Sequence, residues 1–159
     1  MGFQSVILVV KDVIKSRKLY EEILGCKVTD DFDIYNVGFE GGLSLYKESL
    51  FLDLINSDHI VTKAHNLAVY FEFDDINVIR DTVADNGFEL VHDIIEQPWG
   101  QMVFRFYDYD KHIVEVAEDM NTVLKNMYNK GMSVPMIADK TGYTIERVTS
   151  ILQELKVID

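Results

Sequence analysis

The chain has 159 residues, is 48% hydrophobic and carries a formal charge of −12, from 15 Lys and Arg against 27 Asp and Glu. That length suits one compact domain with a small appendage, and the hydrophobic share excludes a disordered acidic protein. A single Cys excludes a disulfide framework or a Cys-rich zinc module, and the acidity argues against a broad phosphate-binding surface.

Residues 3–10 (FQSVILVV) read as a buried strand rich in β-branched side chains. Val6 to Val10 is the longest apolar run, too short to cross a bilayer, so no membrane contact is expected. The start MGFQSVILVVKD has neither the basic opening nor the cleavage site of a signal peptide, which makes the cytoplasm the expected compartment. Asp12 caps a helix carrying Val13, Tyr20, Ile23 and Leu24, with a stop at Gly25. Residues 34–39 and 42–47 read as strands joined at Gly41-Gly42, and residues 48–65 as a loop with a short helix around Phe51 to Ile55.

A second pass begins at residues 66–73 (NLAVYFEF), a strand of alternating character. Asp74 or Asp75 caps a helix with Ile76, Ile79 and Val83 on one face, ended by Asn86-Gly87. Strands follow at 89–94, 102–107 and 112–117, the last two joined by a tight turn over Asp108 to Lys111. Asp12 maps onto Asp75 at an offset of 63 and Gly25 onto Gly87 at 62, which marks an internal repeat. The expected fold is α+β: two tandem βαβββ modules over residues 1–120, each with a helix on one sheet face. The open faces then line a cleft.

After Met120 no strand pattern remains. NTVLKNMYNKG reads as a helix, and two short helices flank Gly142, so residues 121–159 are expected to form a helical extension. That extension holds five basic and four acidic groups, which leaves −13 of the total on residues 1–120.

Two segments, VVKDVIKSRKLYEEILGCKV and QPWGQMVFRFYDYDKHIVEV, together with the duplicated grammar, resemble the vicinal oxygen chelate superfamily. That group includes glyoxalase I, bleomycin and fosfomycin resistance proteins, and extradiol dioxygenases. The resemblance covers roughly residues 3–118 and implies the paired-module fold. Metal-using members present four His or Glu ligands from four cleft strands, with open positions for substrate oxygens. By motif those positions here are Ser5, Ser44, Asn66 and Glu115. Only Glu115 is a good ligand type, so no tightly bound metal or other cofactor is expected. The DPDG turn of the superfamily is Asp108-Tyr109-Asp110-Lys111 in this chain.

Glu115 is the leading candidate for a cleft base or hydrogen-bond acceptor. His65 adjoins Asn66, and a one-residue slip would turn it inward. His59, His92 and His112 share no ligand spacing and read as surface residues, and Cys26 as a plain buried thiol. Strand alternation puts Ala68, Tyr70 and Glu72 on the cleft face and Leu67, Val69, Phe71 and Phe73 on the helix face. It adds Tyr46 beside Ser44, and Phe3, Ile7 and Val9 beside Ser5. Counting back across the 108–111 turn sets Phe104 opposite Glu115 with Phe106 alongside, while a slip would set Arg105 there. Trp99 lies near the rim before Gly100 and reads as a stacking wall or as core.

The expected function is therefore binding of a small molecule, aromatic or cationic, in the manner of a bleomycin-resistance protein. Tyr46, Tyr70, Trp99 and Phe104 supply contact area, Ser44, Asn66 and Glu115 orientation, and Ser5 is counted among the ligand-binding residues. The alternative is a glyoxalase-like lyase or isomerase, in which Glu115 abstracts a proton beside a metal held with His65. A third reading makes the chain a ligand sensor whose helix-turn-helix-like tail contacts DNA. It has little support, because TIERVTSIL offers one basic residue, Arg147, for phosphate. A homodimer is expected from the resemblance and from the need to cover sheet edges.

Overall fold

A computed structural model describes residues 2–158. The first module runs β1 (Val6–Val10), α1 (Val13–Lys18), β2 (Val28–Asp31), β3 (Asn36–Phe39) and β4 (Leu43–Lys47). The second runs β5 (Ala68–Phe73), α3 (Ile76–Asp85), β6 (Leu90–Glu96), β7 (Met102–Tyr107) and β8 (Ile113–Glu118). Between them lies α2 (Glu48–Ile55). The order of strands is β1-β4-β3-β2 in one sheet and β5-β8-β7-β6 in the other, with β1–β4 and β5–β8 parallel. The βαβββ repeat is therefore present twice. β2 lies outside the strands expected from the sequence, because VTDD is short, polar and mostly exposed.

The repeat rests on equivalent local chemistry. The Asp12 carboxylate accepts from the Lys15 amide at 3.0 Å and Asp75 from the Asn77 amide at 3.0 Å, each satisfying a helix-start donor. After Lys18 the first helix widens into a π-helical turn, Leu19–Ile23. At the β3–β4 turn, a Cβ on Gly42 would lie 2.7 Å from the Gln4 carbonyl, and φ is +85°, so only glycine fits there.

Leu8 and Val10 of β1, Leu45 of β4, Phe104 and Phe106 of β7, and Val114 and Val116 of β8 all face the helices in one core shared by both modules. Tyr20, fully buried, stands at its centre between Phe39 of the first sheet and Phe71 of the second, at centroid distances of 6.2 and 6.5 Å. Its hydroxyl donates to Asp108 Oδ2 at 3.0 Å, joining the first module to the β7–β8 turn of the second.

Three helices follow: α4 (Met120–Asn129), α5 (Val134–Thr141) and α6 (Ile145–Glu154). They gather around Leu124, Ile137, Val148 and Leu152, a cluster distinct from the core of the sheets. Among the described residues no helix is long and apolar enough to cross a membrane.

Candidate functional site

The face of the second sheet turned away from α3 carries a polar row across all four strands. The register pairs Tyr70 of β5 with Glu115 of β8, Glu115 with Arg105 of β7, and Arg105 with His92 of β6. This decides the strand register in favour of Arg105. Phe104, first expected opposite Glu115, lies one residue out of phase and is fully buried on the helix side, so it offers the open face no contact area. Phe106 is buried on that side too.

Arg105 Nε and one terminal nitrogen both lie 2.6 Å from Glu115 Oε2. Its other terminal nitrogen is 2.8 Å from His92 Nε2. A guanidinium only donates, so His92 Nε2 accepts, and its Nδ1–H donates to the Asp93 carbonyl at 2.8 Å. His92 thus joins the sheet network and is not the plain surface histidine expected.

A second network starts at the QPWG turn. Trp99 Nε1 donates to Gln101 Oε1 at 2.8 Å, and Gln101 Nε2 donates to the Tyr70 hydroxyl at 2.8 Å and to the Glu118 carbonyl at 2.7 Å. The Tyr70 hydroxyl in turn donates to Glu72 Oε1 at 2.6 Å. Gln101 is buried, and every polar atom of its amide is used. Burial, reinforced by the Glu72 carboxylate, holds the Tyr70 phenol above its ordinary pKa, so it stays protonated.

Both networks open on one pocket of about 410 Å³. Tyr70, Glu72, Trp99, Gln101 and Glu115 form its sheet side, and Met120, Thr141 and Tyr143 its outer side. Of the residues singled out in the sequence, Tyr70, Trp99 and Glu115 meet here. Ser44 and Tyr46 lie on the open face of the first sheet, where the Tyr46 ring meets Phe51 of α2 edge-on at 6.3 Å. Ser5 precedes β1, and Asn66 is exposed in the bend before β5. None of these four lines the pocket. The residues missed were Gln101, hidden one place after the WG pair, and Tyr143, hidden in the tail.

The other three histidines and the cysteine do not line this pocket. The His65 ring stacks on Tyr107 at 5.7 Å with its Nε2 bonded to the Tyr107 hydroxyl. His112, expected at the surface, has its Nδ1 2.8 Å from Asp108 Oδ2. His59 is exposed beside Asp58, and burial pushes the Cys26 thiol up to about 11.

The divalent metal that the resemblance implies does not fit this donor set. Ser5, Ser44 and Asn66 are neutral and dispersed, and Oε2 of Glu115 is taken by Arg105. Among the described residues, no group of three or more His, Cys, Asp or Glu is placed to hold a metal ion.

Residues 3–121 match the glyoxalase-like domain family, and the chain belongs to it. The fold and the family match thus define a member of the glyoxalase, bleomycin resistance and dioxygenase superfamily. A protein of unknown function from Agrobacterium tumefaciens is 34% identical, with a TM-score of 0.65 over 75% of this chain and 94% of that one. A glyoxalase-related enzyme from Fulvimarina pelagi shares the fold at 16% identity and a TM-score of 0.63, over 76% of this chain and 89% of its own. A glyoxalase/bleomycin resistance protein/dioxygenase family enzyme from Burkholderia phytofirmans does so at 11% identity and 0.62, over 74% and 98%. No curated protein matches the chain.

Proposed function

We propose that this protein binds a small organic molecule in the pocket between the second sheet and the C-terminal helices, without a resident divalent metal. The observation that carries the reading is the convergence of Tyr70, Trp99 and Glu115 around one pocket of about 410 Å³, a size suited to a small ligand. Aromatic faces and carboxylates line it together. Glu72 has no basic side chain within 4.0 Å among the described residues, which favours an aromatic cation. Glu115 acts as a fixed acceptor: Arg105 occupies Oε2, and Oε1 is bonded to no described group. The same ion pair disfavours the lyase reading, which needs Glu115 as a mobile base or metal ligand.

Phenyltrimethylammonium is the probe of choice, with benzenesulfonate as its anionic counterpart. Thermal-shift measurements should show a higher melting temperature with the cation and none with the anion, since a ligand that binds only the folded state stabilises it. The same assay applied to metabolites and antibiotics extends the search. Stoichiometric zinc, nickel, manganese or iron in protein purified without chelators, lost in Glu115→Ala, would overturn the metal-free reading. A homodimer completes the proposal, because β2 and β6 are outer strands whose edges need cover. Light scattering should give twice the chain mass.

A further inference from the structure

All but the first two residues of the C-terminal helices lie outside residues 3–121, the extent of the family match. Their separate core makes them a unit of their own, resting on the second sheet through a few contacts. Lys140 of α5 pairs with Glu96 of β6 at 3.0 Å. Gly100, at φ +87°, leaves space that the ends of the Met127 and Lys140 side chains occupy, and a Cβ there would collide with Met127.

This contact brings Thr141 and Tyr143, either side of Gly142, into the lining of the pocket that Tyr70, Trp99 and Glu115 share. The turn that carries them is well determined. The Gly142 amide donates to the Ala138 carbonyl at 2.9 Å, the Tyr143 amide to Thr141 Oγ1 at 3.4 Å, and the Arg147 amide to Thr144 Oγ1 at 3.2 Å. The Tyr143 ring is half-buried against the core of the tail, so its position is set before any ligand arrives.

We infer that the C-terminal helices are the outer wall of the pocket and that Tyr143 is a specificity-determining residue, presenting an aromatic face to a ligand held against Trp99. This inference rests on the pocket reading above. It assigns the tail a part in ligand selection, and it explains why an acidic chain carries a helix-turn-helix-like hairpin with one basic residue on its second helix.

The test uses the full chain, whose single tryptophan is Trp99, so its fluorescence reports on the pocket alone. Phenyltrimethylammonium is titrated against wild type, Tyr143→Ala and Tyr143→Phe. Loss of one cation–π face should weaken binding about 5-fold in Tyr143→Ala, while Tyr143→Phe stays within about 2-fold of wild type. Acrylamide quenching of Trp99, which needs no ligand, should rise in Tyr143→Ala and not in Tyr143→Phe. Circular dichroism of each variant confirms folding. Unchanged quenching in folded Tyr143→Ala overturns the inference whatever the probe does. So does equal probe affinity in Tyr143→Ala and wild type. Failure of the probe to bind wild type counts against the cation reading of the pocket, and quenching then decides the wall by itself.

Discussion

Replacing Tyr20 by Phe removes one hydroxyl and leaves the ring. The ring keeps its place between Phe39 and Phe71, so the cost is confined to the bond to Asp108. Asp108 is buried and keeps three donors: the amides of Asp110 and His112 on Oδ1, and the His112 ring on Oδ2. A hydrogen bond to a charged group contributes about 1.5–3 kcal/mol, and the remaining donors put this case near the lower end, at about 1.5 kcal/mol. For a chain of this length that lowers the melting temperature by about 3–6 °C. Urea unfolding at pH 7 should show the midpoint falling with an unchanged slope, as a single transition, because one core serves both modules. A loss below about 0.5 kcal/mol, or two separated transitions for the modules, would refute the claim that Tyr20 ties them into one cooperative unit.

The His112 imidazolium lies beside Asp108. Burial of His112 lowers its pKa, but the Asp108 hydrogen bond and charge outweigh this and hold it above 6.5. The pair therefore stabilises the fold fully below pH 6.5 and loses that contribution as pH rises through the folded value. Urea midpoints should decline from pH 6 towards pH 8, and His112→Gln should flatten that decline. Lys111 takes φ +71° at the turn position where the superfamily has glycine. Lys111→Gly should thus stabilise by up to about 1 kcal/mol, less a little for the exposed pair with Glu89, and a clear loss of stability would contradict the strain assigned there. Gln101→Leu strands the Trp99 indole N–H and the Glu118 carbonyl, costing about 1–3 kcal/mol and shifting Trp99 emission. An unshifted spectrum at wild-type stability would show the network to be incidental. Gel shifts at low salt, the most permissive condition, should detect no duplex bound by the tail, and a salt-sensitive complex would revive the DNA reading.

Periodicity and capping chemistry carry far in this chain. Asp12 and Asp75, 63 residues apart, announce the two helices, and the alternation of AVYFEF shows which of Val69, Phe71 and Tyr70 turn inward. These are local properties, set by the helical and strand periods and by donors left open at helix starts. The short polar β2 escapes such reasoning, because its pairing with β3 and not its side chains makes it a strand.

The candidate site divides along the same line. Tyr70, Trp99 and Glu115 were legible as residue types suited to a ligand, but their partners were not. Whether Phe104 or Arg105 faces Glu115 turns on a shift of one residue, which exchanges the two faces of the strand, and only the β7–β8 ladder resolves it. His112 looked like a surface residue until the β7–β8 turn set it against Asp108. The tail showed in its sequence that it was helical and near-neutral. That it rests on the second sheet and brings Tyr143 into one pocket with Trp99 follows from contacts at Gly100 and Glu96, more than forty residues away in sequence from Tyr143. Composition and periodicity determined the two modules and the helical appendage. Strand register and the docking of that appendage, both set by contacts distant in sequence, determined which side chains share a pocket.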